Sequence, residues 1–121
     1  MNENTDPLRL EIAAAAARLL ADGATDYASA KRKAAQRVLG ERSAPKGSMP
    51  DNEEVDAALL EHLELFDAGH AERVLRRRRT AAELMQRLEE YQPYLTGAVW
   101  KGIVTEHARI HLQLFHDNTK D

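Results

Sequence analysis

Two glycines and three cationic or imidazole side chains near the C-terminus carry the clearest chemical signal in this sequence. Gly97 and Gly102 bracket a short segment that ends in Lys101, and Arg109 and His111 follow it. Glycine lets a backbone turn sharply and approach a ligand closely. Lysine, arginine and protonated histidine donate hydrogen bonds to phosphate oxygens. The pattern predicts a turn that binds phosphate or a nucleotide directly, without a metal ion.

The residues around this turn have the periodicity of two short strands. From residue 107 to residue 114 the side chains alternate between a polar and an apolar face. The polar face holds His107, Arg109, His111 and Gln113, and the apolar face holds Ala108, Ile110, Leu112 and Leu114. Such alternation is typical of a strand packed by one face. Residues 94–99 predict a preceding strand, and the antiparallel pair needs helical cover because two strands alone are marginally stable.

Residues 95–115 resemble the signature of the minimal nucleotidyltransferase superfamily. Gly97-Ala98 stands where the family has Gly-Ser, and Lys101-Gly102 stands where it has Arg-Gly. Thr105 matches a threonine often found in the loop, and residues 109–112, Arg-Ile-His-Leu, stand where Asp-Ile-Asp-Leu is expected. The resemblance implies a strand–turn–strand element whose glycine turn approaches nucleotide phosphates. The preceding helical region is similar to that of uncharacterised proteobacterial proteins carrying such a domain.

The departures from that signature argue against catalysis. In the family, two aspartates hold Mg²⁺, which prefers oxygen ligands; here Arg109 and His111 replace them, and Ala98 replaces the serine. We also expect no counterpart of the family's third carboxylate, because few residues follow the second strand. The resulting hypothesis is a degenerate, non-catalytic binding or assembly module with no catalytic residue, metal site or cofactor. Its candidate ligand is a nucleotide or phosphate; if activity remained, it would be nucleotidyl transfer.

Histidine-based zinc binding is a weaker alternative. His107 and His111 share a strand face, and Asp117 could add a ligand of the type that Zn²⁺ accepts. However, Arg109 lies between the two histidines on that face, His116 falls on the other face, and the spacing matches no standard zinc signature. The sequence favours histidines on a solvated or partner-facing surface. His62, beside an apolar helical stripe, is expected to be a packed or half-exposed side chain.

Four helices are predicted before the strands, which gives a mostly α (α+β) fold. The first covers about residues 7–22 after Asp6-Pro7, and the second runs from Thr25 or Asp26 to Gly40. The third begins after Asp51 and ends before Gly69, and the fourth covers about residues 70–91. We expect a helical pair at residues 1–40, a linker at 41–50, and a helical pair with the strand element at 51–121, together forming one compact domain.

Apolar spacing predicts which helix faces are packed. The stripe of the third helix is Val55, Leu59, Leu63 and Phe66. The fourth helix carries apolar residues seven apart at Val74, Ala81 and Leu88, a spacing similar to that of a coiled coil. This face and the open sheet edge predict a homo-oligomer, most simply a dimer.

Basic residues on two helices leave a second hypothesis open. They are Lys31, Arg32, Lys33 and Arg37 on the second helix, and Arg76 and Arg77 within the run 76–79 on the fourth. They could be solvated, or the arginine run could pair with the acidic third helix. Alternatively they could contact the phosphates of a nucleic acid. The alternative function is therefore a helical nucleic-acid-binding or protein-interaction regulator.

Composition limits the remaining possibilities. The 121 residues carry a net charge of −3, so overall charge predicts no polyanion binding. The sequence has no cysteine, which excludes disulfides and thiolate metal sites and suits a reducing compartment. No signal peptide or membrane-spanning stretch is expected. We therefore expect a cytoplasmic protein that does not contact a membrane.

Overall fold

The computed structural model describes residues 6–24 and 26–115, and the fold of this part is mostly helical with a small antiparallel sheet. This confirms the predicted fold class. The chain forms two compact units, Met1–Ala68 and Gly69–Asp121. Every helix in the described ranges is too short or too polar to cross a membrane.

The first unit contains α1 (Pro7–Ala21), α2 (Tyr27–Leu39) and α3 (Asn52–Phe66). Each begins at a predicted aspartate cap, since Asp6 accepts from the N–H of Leu8, Asp26 from that of Ser29, and Asp51 from that of Glu54. A side-chain oxygen at this position satisfies a backbone N–H that has no partner within the helix. Thr25, the other candidate cap of α2, lies outside the described residues.

Alanine and larger aliphatic side chains together build the core of the first unit. The buried residues of its helices are Ile12, Ala13, Ala16, Ala17 and Leu20 in α1, Ala30, Ala34 and Leu39 in α2, and Val55, Leu59 and Leu63 in α3. The alanine-rich face of α1 lets it pack closely against both α2 and α3. Close packing of this kind requires short side chains at the contact.

The prediction that Phe66 continues the buried stripe of α3 was wrong. Its side chain is 75% exposed. The last buried residues of α1 and α3 are Leu20 and Leu63, so the packed faces of the two helices end before Phe66. Its ring instead contacts His62 on the same helix, with the ring centroids 5.1 Å apart.

The glycine- and proline-containing segment 41–50 is a loop within the first unit. Arg9 donates from Nη1 to the carbonyl oxygen of Gly47 at 3.0 Å. Ser48 is buried, and its hydroxyl donates to the carbonyl oxygen of Pro45 at 2.7 Å. Because the loop brings α3 onto α1, the division between the units falls after α3, at Ala68–Gly69, and differs from the expected grouping of residues 51–121.

The second unit begins with α4 (His70–Arg87), followed by a 3₁₀ turn at Glu89–Tyr91 that occupies the last residues of the predicted fourth helix. Its fully packed positions are His70, Arg73 and Ala81. Of the predicted apolar face, Ala81 is buried, whereas Val74 and Leu88 are half-buried. The packed face of α4 is therefore more polar than the heptad spacing indicated.

The sheet consists of β1 (Tyr94–Thr96) and β2 (His111–Gln113), joined through α5 (Gly97–Lys101) and a loop. The strands pair antiparallel, with Leu95 opposite Leu112. Both are shorter than predicted, because Gly97 turns the chain into α5 and residues 107–110 are irregular. The alternation holds from residue 107 to 113, where the odd-numbered side chains are exposed and the even-numbered ones half-buried; Leu114 is exposed.

Candidate functional site

The predicted glycine turn is the short helix α5 with a glycine at each end. Gly97 has φ +75° and Gly102 has φ +78°, a backbone conformation that side chains with a Cβ rarely adopt. The ring of His111 lies against Gly97, since a Cβ there would be 3.3 Å from His111 Cδ2. Two predicted phosphate-site residues, Gly97 and His111, are therefore in contact.

The other three members of the predicted phosphate site occupy different parts of the second unit. Gly102 faces α4, because a Cβ there would be 3.1 Å from Nη2 of Arg78. Lys101 and Arg109 are exposed, near opposite ends of the loop that joins α5 to β2. The five residues thus lie in α5, in this loop and at the start of β2. Contact between site members is seen at Gly97 and His111.

Arginine side chains of α4 hold this segment by its main chain. Arg78 donates from Nε to the carbonyl of Val99 at 3.0 Å and from Nη2 to that of Trp100 at 2.9 Å. These carbonyls lie in the last turn of α5, at the negative end of the helix dipole, and that of Val99 also accepts from the N–H of Gly102 at 3.3 Å. Arg78 therefore stabilises the C-terminal end of α5.

The same helix binds the loop that follows α5. Arg77 donates from Nη2 to the carbonyl of Glu106 at 3.3 Å and from Nη1 to that of Ala108. Arg73 donates from Nη1 to the carbonyl of Val104 at 3.1 Å, and Nε2 of His70 accepts from the N–H of the same residue at 3.1 Å. Both polar backbone groups of the fully buried Val104 therefore have side-chain partners.

These bonds give two members of the arginine run partners within the second unit. Arg77, predicted to contact nucleic acid, is half-buried and binds two loop carbonyls. Arg78, expected to pair with the acidic third helix, binds carbonyls of α5. Arg76 is exposed and makes no hydrogen bond or ion pair within residues 6–24 and 26–115.

Sequence reasoning missed His70 and Arg73 altogether. The available signal was an irregular segment, residues 102–110, whose buried carbonyls need donors from elsewhere. The spacing of residues 70, 73, 77 and 78 places all four side chains on one side of a helix, where they can bond to the backbone of such a segment. A sequence does not reveal which segment will lie opposite such a face.

The basic residues of α2 are differently placed. Arg32, Lys33 and Arg37 are exposed, and Lys31 is half-buried. The side chains of Arg32, Lys33 and Arg37 make no hydrogen bond or ion pair to another described residue. Arg42 follows them and donates from Nε to the carbonyl of Leu39 at 3.1 Å. The end of α2 therefore presents a basic surface whose outer cations point to solvent.

Two half-buried polar contacts perturb titratable groups in the first unit. Arg9 binds Glu54 through two nitrogens, with Nε 2.8 Å from Oε2 and Nη2 2.5 Å from Oε1. The hydrogen bond from Arg9 lowers the pKa of Glu54 below its usual range. Burial, reinforced by the hydrogen bond that its hydroxyl donates to Asp56, raises the pKa of Tyr27 well above its ordinary value.

A groove of about 430 Å³ lies between α1 and α3. It is lined by Ala14 and Arg18 from α1, and by Ala58, Glu61, His62, Leu65 and Phe66 from α3. The first turns of both helices are joined by Arg9 and Glu54, and their last turns both line the groove. The two helices therefore run in the same direction on either side of it.

Large aromatic side chains lie mostly on the surface. The six aromatic residues include Phe66, Tyr94, Trp100 and Phe115, and all four are exposed. Tyr94 and Phe115 form an edge-to-face pair with ring centroids 5.2 Å apart. Aromatic side chains thus concentrate outside the alanine- and leucine-rich core.

Metal ligands do not cluster in the part of the chain that the structure describes, where no group of three or more histidine, aspartate or glutamate side chains could hold an ion. His116 and Asp117, which the zinc alternative considered, lie outside that part.

Searches against models of protein families, curated proteins and solved structures found no match to this chain. The resemblance to the nucleotidyltransferases therefore stays a prediction made from the residues quoted above.

Proposed function

We propose that this chain is a non-catalytic assembly module that associates with copies of itself. The observation that carries the proposal is the exposure of four of its six aromatic side chains. Apolar surface in water is unfavourable, at roughly 25 cal/mol per Å². Aromatic residues are enriched where proteins bind one another. Association would remove exposed apolar surface of this kind from water.

The second unit is, in this proposal, a degenerate nucleotidyltransferase-like element. Its support is the order strand, glycine at positive φ, short helix, loop carrying Arg109, and second strand beginning at His111. Cations at the aspartate positions would oppose Mg²⁺ binding and would attract a phosphate directly. A nucleotide or phosphate, held by Lys101, Arg109 and the Gly97–His111 contact, is the candidate ligand.

Sedimentation equilibrium of the full-length chain, from about 5 to about 300 μM, tests the assembly function. The wild-type protein is expected to associate reversibly. A variant with serine at all four exposed aromatic positions is expected to remain a monomer with an unchanged far-UV spectrum, because none of these side chains belongs to the core. A wild-type protein that stays monomeric throughout would overturn the proposed function.

A thermal-shift titration tests the ligand separately. ATP, GTP and inorganic phosphate are compared with and without Mg²⁺, because a ligand that binds only the folded state raises Tm. Stabilisation that needs no Mg²⁺ and disappears in Arg109→Ala would support direct phosphate binding. Transfer of labelled nucleotide by the pure protein, abolished by changing Arg109 or His111, would contradict a non-catalytic role.

A second candidate function, nucleic-acid binding, is favoured by one observation, the exposed cations Arg32, Lys33 and Arg37 on α2. Lysine and arginine contacts to phosphates release counterions, so affinity should fall steeply with salt. Filter binding of duplex DNA and RNA at low and moderate salt would detect this, with Arg37→Gln as the weakening variant. The cytoplasm remains the compartment that we expect for either function.

A further inference from the structure

The groove between α1 and α3 has an apolar floor and a polar rim. Ala14 on α1 and Ala58 on α3 both line it, and their side chains are short. Arg18 and Glu61 stand on opposite walls, so the rim carries one cation and one anion. The floor can therefore receive a large apolar side chain, while each wall can receive a charge of opposite sign.

A large apolar side chain lies beside this floor. Leu65 and Phe66 are 69% and 75% exposed, which makes them the two most exposed large hydrophobic side chains of the described chain. The contact between Phe66 and His62 holds the aromatic ring against the wall of the groove. Such a ring loses little conformational freedom when a partner covers it, which favours binding.

The charges at the rim are available for a partner. The side chains of Arg18 and Glu61 are both exposed and make no hydrogen bond or ion pair with any residue in the described ranges. In contrast, Arg9, two turns earlier on α1, is bound to Glu54. The surface therefore carries an exposed aromatic side chain, an open groove and charges of both signs. These are the features of a self-complementary contact.

We propose that this groove is a twofold homodimer interface, in which Phe66 of each copy seats on the Ala14–Ala58 floor of the other. Arg18 of each copy then faces Glu61 of its partner, which forms two equivalent ion pairs. Twofold contacts use the same patch on both subunits, so one Phe66 side chain and one groove per copy are sufficient. This inference rests on the proposed assembly function and identifies the surface that performs it.

The charge pattern favours a second copy over a foreign peptide of one charge sign. An acidic segment in the groove would face Glu61, and a basic segment would face Arg18, so each would meet a like charge. Like charges brought together at an interface are unfavourable. A second copy in twofold arrangement places opposite charges together at both ends of the groove.

Single substitutions in the full-length chain, measured by sedimentation equilibrium, test the interface. Phe66→Ser is expected to weaken dimerisation by about tenfold or more, because a central aromatic side chain often dominates binding. Trp100→Ser is the matched control, since it removes an aromatic side chain of similar exposure from the other unit. The control is expected to dimerise as the wild-type protein does, and circular dichroism confirms that both variants remain folded.

Charge reversal tests the pairing directly. Arg18→Glu and Glu61→Arg are each expected to weaken the dimer by about tenfold, and the double variant is expected to recover to within about threefold of the wild type. Lys33→Glu, the same change of charge on α2, is expected to leave the dissociation constant unchanged.

Three results would overturn this interface. They are a Phe66→Ser protein that dimerises like the wild type, charge reversals without effect, and single reversals that the double variant fails to rescue. Association lost in Trp100→Ser but retained in Phe66→Ser would move the contact to the second unit and leave the assembly function intact. A monomeric wild-type protein would remove both proposals.

Discussion

His70 accepts a hydrogen bond from the backbone N–H of Val104 through its Nε2 atom, at 3.1 Å. Nε2 must therefore lack a proton, and the ring contributes an acceptor rather than a charge. Arg73 supplies the donor for the carbonyl of Val104 one turn later on α4. The loop thus receives from one helix the pair of bonds that a neighbouring strand would normally provide.

Replacing His70 should destabilise the second unit. In His70→Ala, the buried N–H of Val104 loses its partner, and an unsatisfied buried donor costs about 1–3 kcal/mol. Urea unfolding followed by circular dichroism would measure the loss of unfolding free energy. His62→Ala is the control, because that half-exposed ring lies in the first unit, on the wall of the groove. Equal stability of His70→Ala and wild type would show that the bond to Val104 contributes nothing.

Gly97→Ala should be more costly than an alanine at another left-handed glycine. Gly97 and Gly40 both have positive φ, so each substitution carries backbone strain of about 1 kcal/mol or more. At Gly97 the new Cβ also meets the His111 ring at 3.3 Å, whereas at Gly40 it meets nothing within 4 Å. Thermal unfolding of both variants would show the difference, which His111→Ala in the Gly97→Ala background should reduce. Equal losses of Tm would argue against the Gly97–His111 contact.

Acidification should weaken the first unit through Glu54. Arg9 lowers the folded-state pKa of Glu54 below its ordinary value of 4.5, so the stabilisation is complete above that value and is lost as pH falls through the lowered one. Tm measured from pH 6 to pH 2 should therefore fall less steeply in Arg9→Met, whose Glu54 has lost its partner. Glu64→Gln, an exposed change on α3, is expected to leave the slope unchanged. Parallel curves for Arg9→Met and wild type would contradict the coupling.

Alkaline pH should weaken the same unit through Tyr27. Burial and the bond to Asp56 raise its folded-state pKa above the ordinary 10.0, so the stabilisation holds below 10.0 and is lost as pH rises through the raised value. The absorbance difference at 295 nm between wild type and Tyr27→Phe isolates this phenol. We expect it to ionise only above pH 10.0, together with unfolding. Ionisation at 10.0 in the folded protein would contradict the buried contact.

Helix starts and strand alternation could be predicted because their causes are local in sequence. Asp6, Asp26 and Asp51 cap helices through N–H groups two or three residues away. The strand pairing required only that Leu95 and Leu112 face the same side. Interactions of this kind can be predicted because the residues that make them are close together in the sequence.

The outcomes that sequence reasoning missed depend on distant segments. Arg77 binds carbonyls 29 and 31 residues further along the chain, and no periodicity indicates which loop will lie opposite it. Phe66 fits the helical stripe by spacing, but it lies beyond the region where α1 and α3 pack. Arginine can serve phosphate, carboxylate or carbonyl oxygens equally well, so its partner is decided by the fold.

The hydrogen bonds between α4 and the loop from α5 to β2 have a consequence for protein engineering. His70, Arg73 and Arg77 contact main-chain atoms of Val104, Glu106 and Ala108. Every amino acid supplies the carbonyl groups, and every one except proline supplies the N–H. The exposed side chains of Glu106, His107 and Arg109 take no part in those bonds. These positions should tolerate randomisation while the loop keeps its path, which makes the loop a suitable place to graft new recognition sequences.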